Sequence, residues 1–140
     1  MSATSTNEKK DAQSHLIFEA KIFNDLRGEG EEFFAELVDM FVSDVPAQLD
    51  ALTQALDQGD AALASRMAHT LKGTAATFGA TQMVERAAAI DQASRASLID
   101  QARGLLAAFR AECERVRAAL EAERPKATAP PPNAGKIAGG

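Results

Sequence analysis

From Glu31 onward apolar residues return at intervals of three and four: Phe33, Phe34, Leu37, Val38, Phe41 and Val42, with acidic residues between them. That spacing gathers the apolar side chains on one face of a 3.6-residue helix and predicts an amphipathic helix. Leu49, Leu52, Ala55 and Leu56 continue the pattern beyond Ser43, Asp44 and Pro46, which offer a cap and a helix-start proline. The pattern fits two helices or one helix kinked at Pro46. Upstream, Phe18 to Leu26 reads as a short helix stopped at Gly28 and Gly30, placed to close one end of a bundle. Downstream, Gly59 and Asp60 make a stop and a start, and residues 60–79 predict a helix roughly 30 Å long at about 1.5 Å per residue. Two further amphipathic stretches follow, about 80–94 with Met83, Val84, Ala87 and Ile90, and about 98–122 with Leu105, Leu106, Phe109, Cys113, Val116 and Leu120. No run alternates with the period of a strand. The predicted fold is all-α: an antiparallel four-helix bundle with a short additional N-terminal helix, in one domain over residues 16–123.

The ends differ in composition. Residues 1–15 are polar without periodicity and residues 124–140 are rich in Pro, Ala and Gly, so both are expected to be disordered. With 140 residues there is room for one core. No stretch approaches the ~18 consecutive apolar residues of a membrane span, and the polar start lacks the apolar segment of a signal peptide. The expectation is a cytoplasmic protein without membrane contact, and its initiator-like Met1 and two polar ends favour a free-standing chain. A net charge of −5 provides no basic stripe for nucleic acid. The single cysteine, Cys113, excludes an internal disulfide and fits a buried thiol on an apolar face. Two histidines, His15 and His69, make no cluster at metal-ligand spacing, so no bound metal or cofactor is expected. His15 has no visible partner in the sequence.

Candidate chemistry comes from the helix at 60–79. At 100° per residue, with Met67 at zero, Leu63, Thr70, Leu71, Thr74 and Phe78 fall within about 60° and form the expected buried stripe. His69 falls at about 200°, facing solvent, among Ala62, Ser65, Lys72, Gly73 and Ala76. A solvent-facing stripe ordinarily carries Glu, Lys, Arg or Gln; here it is small. A mid-helix glycine such as Gly73 costs ~1 kcal/mol relative to alanine, which suggests a reason to keep bulk away from the imidazole. Docking of another protein supplies one.

Lys72, three residues on, lies about one turn along the same face, where its ammonium can reach an anion held on the ring. Imidazole in water is mostly neutral at pH 7, hence a competent nitrogen nucleophile toward phosphorus, and an ammonium offsets charge on phosphoryl oxygens. Phosphoryl transfer depends mainly on positioning and charge stabilisation, so a carrier needs little more. A self-sufficient kinase is excluded: the chain has no Gly-x-x-x-x-Gly-Lys-Ser/Thr loop and no second domain for ATP. No nucleophile or oxyanion donors accompany His69 as a hydrolase would require. A purely binding helical module that leaves the histidine unmodified is the alternative from another class.

The run His69-Thr70-Leu71-Lys72-Gly73-Thr74-Ala75-Ala76-Thr77-Phe78-Gly79-Ala80 resembles the signature His-x-Leu-Lys-Gly-x-x-x-x-x-Gly of histidine-containing phosphotransfer (HPt) domains. The similarity extends over about residues 18–120, with Gly59-Asp60 as the lead-in and Ile90-Asp91 where many members have Leu-Glu. The resemblance implies a four-helix bundle, phosphorylation of His69, charge stabilisation by Lys72, and exchange of the phosphoryl group with the aspartate of a response-regulator receiver domain. It implies a sensor or hybrid histidine kinase upstream and Mg²⁺ held by the receiver partner. The protein is expected to be a monomer and a phosphocarrier rather than an enzyme. In some members a glutamine on the next helix holds the imidazole; the corresponding place here is Asp91, beside Gln92. Asp91 could accept the other ring N–H, or could be an ordinary solvated residue. Docking is expected on Ala62, Ser65, Arg66, Lys72, Gly73 and Ala76, with Arg86 and Asp91 of the neighbouring helix. Gly79 matches the second glycine of the signature and should end the His69 helix.

Overall fold

The computed structural model describes residues 17–125. Among them are five helices: α1 (Ala20–Arg27), α2 (Glu31–Asp57), α3 (Ala61–Phe78), α4 (Thr81–Arg95) and α5 (Ile99–Glu123). The four long helices form an antiparallel bundle joined by short turns, with α3 packed most extensively on α4, α4 on α5, and α2 against both α3 and α5. This is the all-α architecture that the periodicity predicts, short N-terminal helix included. Val38, Leu52, Leu56, Leu71, Met83, Ile90, Phe109, Val116 and Leu120 are fully buried at its centre. No helix among the described residues is long and apolar enough to cross a membrane.

Pro46 lies inside α2, which runs unbroken for 27 residues. Proline lacks the N–H that would bond the carbonyl four residues back, so a compensating contribution must hold the helix together. It comes from packing: Phe41, Val45, Leu49 and Leu52 carry one buried stripe through the site, while the Pro46 ring faces outward.

α1 closes one end. Phe18 stacks on Phe23 with ring centroids 4.2 Å apart, and Phe23 meets Phe34 of α2 edge to face at 5.6 Å. The Glu19 N–H donates to the Gly79 carbonyl at 2.7 Å, tying the start of the described chain to the α3–α4 turn. Gly79 terminates α3 with φ 72°, and a Cβ there would lie 3.0 Å from Ile22 Cβ. Both the left-handed backbone and the close approach of α1 therefore require glycine.

At the other end α5 closes at Glu123, and the described residues stop at 125. Arg124 donates two hydrogen bonds to the Asp39 carboxylate, each 2.9 Å, and pins the end of α5 to α2. The expectations for residues 1–15 and for the remainder of the tail lie outside the described residues, as does His15.

Candidate functional site

α3 starts where Asp60 caps it, its side chain accepting the Leu63 N–H at 3.1 Å, and it ends at Gly79. Its buried residues are Ala64, Ala68, Leu71, Ala75 and Phe78. Of the stripe expected from the wheel, Leu71 and Phe78 are buried, Leu63, Met67 and Thr74 are half-buried, and Thr70 is exposed. The helix is thus rotated by about 60° from the setting that its largest side chains suggest. Three alanines face inward instead and let α3 approach α4 closely, where Ala87 is likewise fully buried.

The rotation leaves His69 about 140° from the centre of the buried stripe, and the residue is exposed. Ala62, Arg66, Gly73 and Ala76 around it are exposed, while Ser65 and Lys72 are half-buried. These seven residues form one continuous face of α3. A helical side chain leans toward the N-terminus and covers the turn before its own Cα. The Lys72 chain therefore lies back over the turn that carries His69. Lys72 has no ion pair or hydrogen bond among the described residues, so its ammonium is available to an incoming anion. A Cβ added at Gly73 would meet nothing within 4 Å, so packing does not require glycine there.

Two residues expected on the docking surface lie elsewhere. Asp91 is 4% exposed, hence neither a solvated residue nor a docking contact. Its Oδ1 accepts the Ser65 hydroxyl at 2.6 Å and pairs with Arg95 Nε at 3.3 Å. That oxygen is thus engaged one turn below His69, and no hydrogen bond joins Asp91 to the ring among the described residues. Arg86 lines a shallow cleft with Gln82, Glu85, Ala89 and Leu105, on the flank of α4 turned toward α5. Arg95 is the residue that the sequence reading omitted. Its i,i+4 spacing from Asp91 is the available signal, but only the burial of Asp91 gives that spacing a use. Among the described residues, no group of three or more His, Cys, Asp or Glu is placed to hold a metal ion.

Comparisons with known proteins agree on the family. The phosphorelay protein LuxU of Vibrio harveyi is 29% identical over 72 residues, which span 51% of this chain and 63% of LuxU, less than two thirds of that relative. The crystal structure of histidine-containing phosphotransfer protein B (HptB) from Pseudomonas aeruginosa PAO1 superposes with a TM-score of 0.71 at 27% identity, covering 74% of this chain and 90% of that one. The family model described as Hpt domain matches residues 36–119, from the second turn of α2 to near the end of α5. With an exposed His69 at the centre of the matched region, the chain belongs to the Hpt domain family.

Proposed function

We propose that the protein is a phosphocarrier of a two-component phosphorelay, accepting a phosphoryl group on His69 and exchanging it with the aspartate of a response-regulator receiver domain. One observation carries the reading: an unobstructed imidazole on a strip of small residues, with an uncommitted lysine leaning over its turn, inside an Hpt domain. In the forward step the lone-pair nitrogen of the neutral ring forms a bond to phosphorus as the aspartyl O–P bond breaks. The electron pair of that bond leaves on the aspartate carboxylate, and the proton on the second ring nitrogen stays in place. Lys72 offsets charge on the phosphoryl oxygens, and the small strip lets the partner approach to bonding distance. Mg²⁺ belongs to the receiver's acidic pocket, where it neutralises phosphoryl charge; His69 is not accompanied by carboxylates that would hold it here.

On this reading the chain supplies no nucleotide site and obtains its phosphate from a sensor or hybrid histidine kinase by way of a receiver. It acts as a cytoplasmic monomer, since the exchange needs an accessible His69 face and transient contacts. The test is to mix the purified protein with excess phosphorylated receiver domain and Mg²⁺ and to follow intact mass. An acid-labile phosphoryl group on wild type that is missing from His69→Gln supports the carrier. A folded wild type that takes no label from any of a panel of receivers overturns it in favour of a docking module without chemistry.

A further inference from the structure

α2 carries seven acidic residues and no basic one. Three of them are matched by arginines of α5 or just beyond its end: Asp39 by Arg124, Asp50 by Arg110 at 3.8 Å and Asp57 by Arg103 at 3.7 Å. Asp44, on the side toward α3, is exposed and has no ion pair among the described residues. It borders a cleft of about 130 Å³ between Met40 of α2 and Thr74 and Thr77 of α3, floored by Phe41 and Phe78. Met40 is 56% exposed, and Phe33, seven residues earlier on the same line of the helix, is 44% exposed. The threonine wall is more apolar than its sequence suggests. Thr74 Oγ1 donates to the Thr70 carbonyl and Thr77 Oγ1 to the Gly73 carbonyl, each at 3.2 Å, so both hydroxyls turn back on their own helix. What remains is an apolar slot with one unneutralised carboxylate on its rim.

The slot is continuous with the His69 face. Thr74 and Thr77 follow His69 by five and eight residues, ~7 to 12 Å along the axis, and exposed Gly73 and Ala76 bridge the gap. A contact of ~800 Å² per partner has a radius of roughly 16 Å, so a protein centred on His69 covers the slot as well. The two halves of this surface have opposite charge: α3 carries Arg66 and Lys72 and no acidic residue, whereas α2 carries only acids. A receiver whose acidic pocket meets the cationic half must present something other than acid to the other half.

Resting on the carrier reading above, we propose that the Met40–Thr77 slot is a specificity site for the receiver partner. It takes an apolar side chain from the receiver face beside the acidic pocket, with a Lys or Arg of that face on Asp44. A second copy of this chain fits less well, because a two-fold contact centred on the slot sets acid-only α2 against itself.

The experiment measures labelling of His69 against the concentration of a phosphorylated receiver domain that labels wild type, for wild type, Met40→Glu and Asp44→Lys. Both substitutions sit on an exposed helix face, and circular dichroism checks that each folds. Expected is a KM raised about tenfold with kcat within about twofold, the signature of lost docking. Reversing the receiver's basic residue to Glu should restore Asp44→Lys and impair wild type. Unchanged KM in both variants overturns the slot while the carrier stands. Absence of label on wild type removes the carrier reading and the slot with it. A wild-type dimer in sedimentation that Met40→Glu dissociates without a change in KM assigns the slot to a second copy and equally overturns the proposal.

Discussion

Replacing Gly73 separates what the fold needs from what docking needs. The residue sits inside α3 with ordinary helical backbone, and a Cβ built there meets nothing within 4 Å. Gly73→Ala should therefore remove a helix-interior penalty and nothing else, a gain of ~0.5 to 1 kcal/mol. For a domain of this size that raises the melting midpoint by roughly 2 to 8 °C. Gly73→Leu should be about as stable, since leucine is nearly as good a helix former. Its side chain, however, would lean toward the N-terminus over the turn that carries His69, four residues back, and stand between the ring and an approaching receiver. Thermal melts and the phosphotransfer assay on the same preparations decide the matter: both variants more stable than wild type, near-native transfer in the alanine variant, and a loss of at least about tenfold in the leucine variant. Gly104 of α5, equally open, is the control; Gly104→Ala should be stabilised in the same way without any change in transfer. Native transfer by Gly73→Leu would refute the docking argument, and destabilisation of Gly73→Ala would refute the claim that the glycine serves no packing role.

Two pH dependences follow from groups remote from His69. Burial, together with the Glu112 charge, pushes the Cys113 thiol up from 9.0 to about 12, with Arg110 opposing. The unfolded chain ionises this thiol and the native protein does not, so its contribution is complete below about pH 9 and is lost as pH rises toward 12. Urea melts from about pH 8 to 10.5 should show a decline that Cys113→Ala flattens, and native wild type should react with maleimide far more slowly than the unfolded chain. At the acid end, the Arg124 hydrogen bonds hold Asp39 below its ordinary 3.8 despite partial desolvation. A depressed carboxylate stabilises the native state above its unfolded value and ceases to as pH falls through the native one, so Asp39→Asn should be slightly less stable than wild type at neutral pH and converge with it in acid, once the native carboxyl is protonated. The effect should be small because Asp39 is exposed and Arg124 only half-buried, and a difference that persists at low pH would argue against the ion pair as its source.

How far the sequence could be read depends on the range of the interactions involved. Helix existence and order are local: three-and-four periodicity, the Asp60 cap and the glycines at 59 and 79 mark α3 within a residue or so. The exposure of His69 is nearly as local, because a ring 140° from the core tolerates an error of some 60° in the wheel. That same error displaced Thr70 from the core and brought in Ala64, Ala68 and Ala75, because the wheel was centred on side-chain size whereas close helix contact selects for smallness. Pro46 was undecidable from its neighbours, since the stripe that carries α2 through it is stabilised by helices distant in sequence.

Asp91 marks where local reasoning ends. Its fate depends on Ser65, 26 residues earlier, and on how α4 is turned about its axis, a property that no pattern within α4 encodes. A buried carboxylate is tolerated only with donors on its oxygens, and here the donors are the Ser65 hydroxyl and Arg95. The consequence reaches the function. With Asp91 held below the surface, the charges that α3 presents around His69 are Arg66 and Lys72, with the exposed Arg95 of α4 nearby, so an acidic receiver pocket meets no like charge on α3. An aspartate on the surface there would have opposed both the phosphoryl group and the pocket that delivers it. Burial of this one carboxylate therefore keeps the cationic half of the proposed docking surface free of exposed acid on α3.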